Sequence, residues 1–464
     1  MEAKATTILC IFLFLMITRA TTTANKVPAI IVFGDSTVDA GNNNFIPTVA
    51  RSNFEPYGRD FVGGKPTGRF SNGRIATDFI SEAFGLKPYI PAYLDPKYKI
   101  SDFATGVSFA SAATGYDNAT SDVLVELIAN RRSVEEEHVT AEIFEDDRRS
   151  LPSRFFAGKA SVVAGEEEQC RRNLLPEKLA MKNIDATLKT DEKKDIDDTL
   201  KIDEKKVAVT ICCRRSDRVL LPEKKNTESS EWRFVESVIP LWRQVEYYEE
   251  YQKKLRSYVG ESKAKESVGK ALHITSLGTN DFLENYYAFP GRASEYTPSE
   301  YQNFLVGIAE NFIKKLYNLG ARKISLGGIP PMGCLPLERT TNFVGGNDCV
   351  SDYNNIALEF NNKLTKLTNK LNKDLPGIRL VFSNPYDILL HIIHKPAQYG
   401  FQVASLACCA TGMFEMGYAC SRASSFSCMD ASKFVFWDSF HPTERTNAII
   451  ANYIVKNTLA QFLH

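Results

Sequence analysis

"IIVFGDSTVDAGNNN", residues 30–44, decides how this chain is read. Four apolar residues, Ile30 to Phe33, stop at Gly34-Asp35-Ser36. A short apolar run rich in β-branched residues that ends in such a turn is the pattern of a buried strand delivering a polar side chain at its carboxyl end. Ser36 is then either a turn residue or a nucleophile. A serine hydroxyl is a weak nucleophile alone, so the choice rests on what else the chain supplies: a base, a group to orient it, and donors for an oxyanion.

The same kind of run recurs as "GVSFA" (106–110), "ALHITSL" (271–277), "KISLGG" (323–328) and "IRLVF" (378–382). With residues 29–33 this makes five strands. Amphipathic helix patterns lie between most of them, at 73–85, 239–260, 299–320 and 351–371, and a last one covers 444–463. The alternation predicts an α/β fold: a three-layer sandwich with a mainly parallel five-stranded sheet, covered on both faces. Sites in such sheets gather at the carboxyl ends of the strands, which is where Ser36 stands.

Histidine is the common base, and there are six. His138 lies in a charged middle segment and His464 is the last residue. His273, inside a strand, reads as a buried structural imidazole. His391 and His394, three apart on one helix face, could ligate a metal but read as ordinary helix positions. His441 differs. It lies in "FWDSFHPTERT" (436–446), just before a helix start, with Asp438 three residues earlier. A turn there lets the carboxylate reach the imidazole Nδ1–H and leaves Nε2 to accept a serine proton. The same turn could instead serve to cap the last helix. Asn280, in "GTNDF" at the end of the 271–277 strand, offers a neutral amide, and "SAATG" (111–115) offers backbone N–H groups. One oxyanion donor of that kind is worth roughly 3–4 kcal/mol. No GxSxG elbow, phosphate loop, HExxH or GxGxxG is present.

Composition sets the compartment. With 56 basic and 56 acidic residues the net charge is zero, which gives no support to nucleic acid or an anionic membrane as partner. Lys4, an apolar run at 8–17 and a small, polar stretch after it read as a signal peptide over residues 1–24. That run is far short of the roughly 20 residues of a membrane span, so a secreted, extracellular protein without an integral membrane anchor is expected. Of ten cysteines, Cys10 falls in the signal and Cys170, Cys212 and Cys213 in the middle segment. The other six, in the C-terminal third, predict two or three disulfides with the pairing open. Asn118-Ala119-Thr120 is a candidate glycosylation site.

The middle segment, 125–236, is foreign to its surroundings. About 42% of its residues are charged, against about 18% elsewhere. "IDATLKTDEKK" (184–194) recurs as "IDDTLKIDEKK" (196–206), and "LLPEK" occurs twice. Such composition buries little apolar surface and is expected to be disordered or to form solvated helix. It reads as a retained intron or gene-model error, or as a natural insertion in a surface loop.

Four blocks in order, "FGDSTVDAGNNN" (33–44), "GVSFASAATGYD" (106–117), "GTND" (278–281) and "WDSFHPTE" (437–444), resemble the plant-type GDSL esterase/lipases of the SGNH hydrolase family. The stretches 57–74 and 327–336 resemble that branch too. The resemblance covers about 27–124 and 237 to the end, and implies one flavodoxin-like SGNH hydrolase domain, 27–464, interrupted by 125–236. It implies Ser36 as nucleophile, His441 as base and then acid, and Asp438 as its orienting partner. The oxyanion would rest on the Ser36 N–H, the Ala113 N–H and the Asn280 amide. The family position at 113 is normally glycine. Alanine keeps the donor if its φ is negative and is strained by roughly 1–2 kcal/mol if φ is positive. The implied function is a secreted serine esterase/lipase that cleaves carboxylic esters of a lipid, polyester or acylated sugar through an acyl-enzyme, with no metal or organic cofactor. An acyltransferase of the same chemistry and a catalytically weak binding protein are the alternatives.

Overall fold

All five apolar runs become strands of one sheet. In chain order the strands are β1 (Ile30–Gly34), β2 (Gly106–Ser108), β3 (Arg218–Pro222), β4 (Trp232–Glu236), β5 (Leu272–Ser276), β6 (Lys323–Gly327), β7 (Arg379–Ser383), β8 (Val403–Ala407) and β9 (Phe434–Phe436). The computed structural model describes residues 27–123, 125, 218–222, 232–343, 348–421 and 427–463. The signal segment, Cys170, Cys212, Cys213, His138, His464 and most of 125–236 lie outside the described residues. By its internal contacts the chain divides into one unit of residues 1–126 with 217–464 and a second of 127–216.

The main sheet has the order β2-β1-β5-β6-β7. Each of its neighbouring pairs is parallel, with Ile30 opposite both Gly106 and Leu272, Leu272 opposite Lys323, and Lys323 opposite Arg379. This is the 2-1-3-4-5 order of flavodoxin-like sheets, whose switch point falls between the first and third strands in sequence. Here these are β1 and β5, so the turns that carry Ser36 and Asn280 flank it.

The longer α-helices are α1 (Ala76–Ala83), α2 (Leu241–Val259), α3 (Glu261–Lys270), α4 (Pro298–Asn318), α5 (Ser351–Asp374), α6 (Tyr386–His394) and α7 (Glu444–Asn457). α4 starts where the chain says it should. Thr297 and Glu300 cap each other's backbone N–H and Pro298 takes the first turn. α2 stops at Gly260, with φ 86°. Strand alternation then sorts the layers. Phe33 and His273 face α2 and α4, where Phe33 packs on Tyr248 and Phe312. Ile274 and Ser325 face the other way, towards α1, α6 and α7. Both faces are thus covered, as a buried parallel sheet requires.

Two expectations change. The last helix ends at Asn457, and a short 3-10 turn, Leu459–Phe462, follows. Within 125–236, β3 and β4 form an antiparallel pair, not coil or solvated helix. "RVLLP" and "WRFVE" carry β-branched and aromatic residues that suit a ladder.

Candidate active site

β1 ends at Gly34 because no other residue fits. Its φ is 150°, and a Cβ there would sit 2.2 Å from the Ser276 carbonyl oxygen. Gln244 of α2 holds both backbone groups of Gly34: its Oε1 accepts from the N–H and its Nε2 donates to the carbonyl, each at 2.9 Å. Asp35 then turns the chain. Its carboxylate accepts from the Thr37 N–H at 3.0 Å and the Thr37 hydroxyl at 2.6 Å, an Asx turn. Burial pushes the Asp35 carboxyl up to about 6, although the Thr37 hydrogen bonds and nearby His441 pull it down.

That turn brings Ser36 Oγ within 2.8 Å of His441 Nε2, across 405 residues of sequence. His441 Nδ1 lies 2.8 Å from both carboxylate oxygens of Asp438. Asp438 Oδ1 also accepts from the N–H groups of Phe440 and His441, at 2.9 and 2.7 Å. The helix-cap alternative for this turn fails, because Thr443 caps α7 through the Thr446 N–H. All three side chains are buried, and the rings of Phe70 and Phe440 flank the imidazole at 4.9 and 5.5 Å between centroids.

The other two sequence candidates arrive on neighbouring loops. Asn280 stands at the start of a π-helical turn, Asp281–Ala288, that follows β5, and its Nδ2 donates to the Thr114 carbonyl at 3.0 Å. The Ser111 N–H donates to the Gly34 carbonyl at 3.0 Å. The loops after β1, β2 and β5 are therefore tied together. Ala113 has φ 66°, so the strained alternative holds, at a cost of roughly 1–2 kcal/mol. A left-handed backbone fits the glycine that the resemblance implies at this position.

Three residues of this assembly were not singled out from the chain. The Tyr57 hydroxyl donates to Asp438 Oδ2 at 2.7 Å and accepts from the Gly417 N–H at 2.9 Å. Burial raises the Tyr57 hydroxyl well above its ordinary value, with Asp438 adding to the effect, so it stays a donor. Asp281 organises the second loop, accepting from Tyr116 N–H (2.8 Å), Asp117 N–H (2.9 Å) and Thr120 Oγ1 (2.7 Å). Its approach demands Gly115, where a Cβ would lie 2.2 Å from Asp281 Oδ1. Burial raises the Asp281 carboxyl to about 7 against those bonds. Gln244 is the third. Its signal was a polar residue on the buried face of α2, beside Leu241, Val245 and Tyr248.

The remaining candidates lie elsewhere. His273 is buried, its Nε2 lies 2.8 Å from the Tyr248 hydroxyl, and burial lowers it to about 4, which fits a neutral structural imidazole. His391 and His394 are exposed, and His391 Nδ1 meets the Tyr399 hydroxyl at 2.6 Å. Asn118 is exposed and accepts from Trp242 Nε1 at 2.8 Å. The six C-terminal cysteines pair as Cys334–Cys349, Cys408–Cys428 and Cys409–Cys420. No described helix is long and apolar enough to cross a membrane.

The profile of the GDSL-like lipase/acylhydrolase family matches residues 30–162 and 226–454. The GDSL esterase/lipase At2g04570 of Arabidopsis thaliana is 50% identical over 452 residues, covering 97% of each chain. Two others from the same plant, At2g42990 and At4g26790, are 44% and 45% identical, covering 97% and 95% of this chain and 96% and 93% of their own. The Ser36 turn and the His441 turn both fall inside the matched stretches, and the similarity runs nearly end to end. The chain belongs to the GDSL-like lipase/acylhydrolase family.

Proposed function

We propose that this protein is a secreted carboxylic ester hydrolase that works through Ser36, His441 and Asp438. The observation that carries the reading is the unbroken line of 2.8 Å contacts from Ser36 Oγ through the imidazole to Asp438. Ser36 Oγ attacks the ester carbonyl carbon as its proton passes to His441 Nε2. The carbonyl oxygen becomes an oxyanion held by the N–H groups of Ser36 and Ala113 and the Asn280 amide. The imidazolium returns its proton to the departing alkoxide, which leaves as the alcohol. The acyl group remains on Ser36 as an ester. Water then gives a proton to Nε2 as its oxygen attacks the acyl carbon. The bond between Ser36 Oγ and the acyl carbon breaks, the carboxylic acid leaves, and the imidazolium returns that proton to Ser36 Oγ. Asp438 holds the imidazole orientation and balances its charge in both halves.

Residues 1–24 and three disulfides support export to an oxidising compartment. The domain is proposed as 27–464 with 125–236 inserted, and Asn118 as a glycosylation site. Thr120 of that sequon is buried on Asp281, so modification would precede folding of its loop. A fluorophosphonate probe tests the chemistry: the secreted protein should be labelled and Ser36→Ala should not. A folded wild type that resists the probe, or a Ser36→Ala variant that still takes it, would overturn the reading.

A further inference from the structure

Trp242, on the first turn of α2, is 55% exposed and lines a pocket of about 270 Å³. Asn118, Arg243 and Tyr247 line it too, with Val238 and Ile239 among its apolar members. The Arg243 guanidinium lies over the Tyr247 ring, 4.7 Å from its centroid. Aromatic rings beside an amide and a guanidinium suit a sugar, which has an apolar ring face to stack and hydroxyls to hydrogen-bond.

Asn118 is exposed yet firmly placed. Asp117 before it accepts from the Ala119 N–H at 3.1 Å and is ion-paired to Arg292 at 2.7 Å. Thr120 after it is buried on Asp281. Trp242 Nε1 donates to Asn118 Oδ1 at 2.8 Å. The indole therefore takes the oxygen end of the carboxamide. Nδ2, the atom through which a glycan is linked, has no hydrogen-bond partner among the described residues. The pocket also sits on a junction. Val238 binds Ser121, and Ile239 binds Ser111 and Thr114 of the loop that carries Ala113.

We propose that this pocket is a saccharide seat, occupied by the first N-acetylglucosamine of a glycan on Asn118 that lies against the Trp242 ring. The inference rests on the export and glycosylation reading above. Linkage precedes folding, because Thr120 is buried afterwards. Asn118 Nδ2 loses a proton and displaces a pyrophosphate-linked carrier from the anomeric carbon of the donor sugar, forming one C–N bond. On folding, the sugar bridges residue 118, before the charged segment, and residue 242, after it. A group that engages only the folded form stabilises it. The seated sugar therefore holds both ends of the segment against the loop of the proposed oxyanion donor.

The test crosses the glycan with the ring. The chain has one sequon, so glycosylated and bare forms of one sequence differ at Asn118 alone. Wild type and Trp242→Ala are secreted from cells that add high-mannose glycans, and mass spectrometry reads occupancy of Asn118. Endoglycosidase H trims each glycan to its first sugar. Tunicamycin-treated cells supply the bare forms, and export to a bacterial periplasm supplies them if those cells retain the protein. The single sugar should raise the wild-type Tm by about 2 °C or more, and should not raise that of Trp242→Ala. Trp242→Leu keeps the test open if the alanine variant does not fold. An unoccupied Asn118 would overturn the proposal. So would a sugar that raises Tm equally with and without Trp242, or not at all. Fluorophosphonate labelling is read on the same samples. A Tm effect that depends on Trp242, without labelling, would uphold the seat and overturn the hydrolase reading. Labelling without that dependence would do the reverse.

Discussion

Tyr57 shows how much of a site can rest on one hydroxyl. It donates to Asp438 and is itself held by the Gly417 N–H, within the loop closed by Cys409–Cys420. It touches no reacting atom in the proposed mechanism, so it is a positioning residue. Tyr57→Phe removes one hydrogen bond to a charged group, worth at most about 1.5–3 kcal/mol. The expected result is a fall in kcat with KM unchanged, measured by steady-state kinetics. A change in KM alone would point to a different role. Ala113 is the other telling residue. At φ 66° a glycine relieves strain but loses more chain entropy on folding. Ala113→Gly should therefore gain up to about 1 kcal/mol and keep fluorophosphonate labelling. Ala113→Val places a β-branched side chain where it fits worst. It should lower both Tm and labelling rate.

At the scale of elements, the π-helical turn Asp281–Ala288 carries two carboxyls in unlike settings: Asp281 is held by three hydrogen bonds, and Glu284 is not. Glu284 is raised to about 8 by burial, with Asp35 and Asp281 adding repulsion. Among the described residues its buried Oε2 has no hydrogen-bond partner. A carboxyl raised on folding takes up a proton between its ordinary value near 4.5 and about 8. Stability from this group is therefore present at low pH and lost as pH rises through that window. Glu284→Gln should flatten the decline of Tm between pH 5 and 8, read by thermal melts across that range. An unchanged slope would show that the carboxyl does not hold its proton in the fold. The same turn follows directly on Asn280, so its geometry also positions the proposed oxyanion donor.

At the scale of the whole molecule, the two ends of the charged segment come back together. The Val238 N–H donates to the Ser121 carbonyl at 3.2 Å, and the Ile239 N–H donates to Ser111 Oγ at 3.0 Å. Thr114 Oγ1 donates to the Ile239 carbonyl at 2.8 Å. A short loop can close that gap, and loop length costs little stability. Joining Val125 to Ser237 should therefore give a secreted protein with Tm within a few degrees of the parent and with probe labelling retained. Failure of the shortened chain to fold would show that the segment is part of the domain.

Much of this was legible in the chain. The five strands, their alternation with helices, and the turns holding Ser36, Asn280 and His441 follow from local pattern, because a buried parallel strand must be apolar and must end in a turn. Choosing Ser36 over a mere turn residue rests on four features together: the secretory signal, His441 with Asp438, Asn280 at another strand end, and the order of the family blocks. What the chain could not express was proximity. The 2.8 Å contact between Ser36 and His441, the disulfide pairing, Tyr57 on Asp438 and the positive φ of Ala113 all arise where distant segments meet. Local preference is written residue by residue and can be read that way. Pairing across hundreds of residues is decided by which packing buries the most apolar surface with its polar groups satisfied, and only the folded chain displays it.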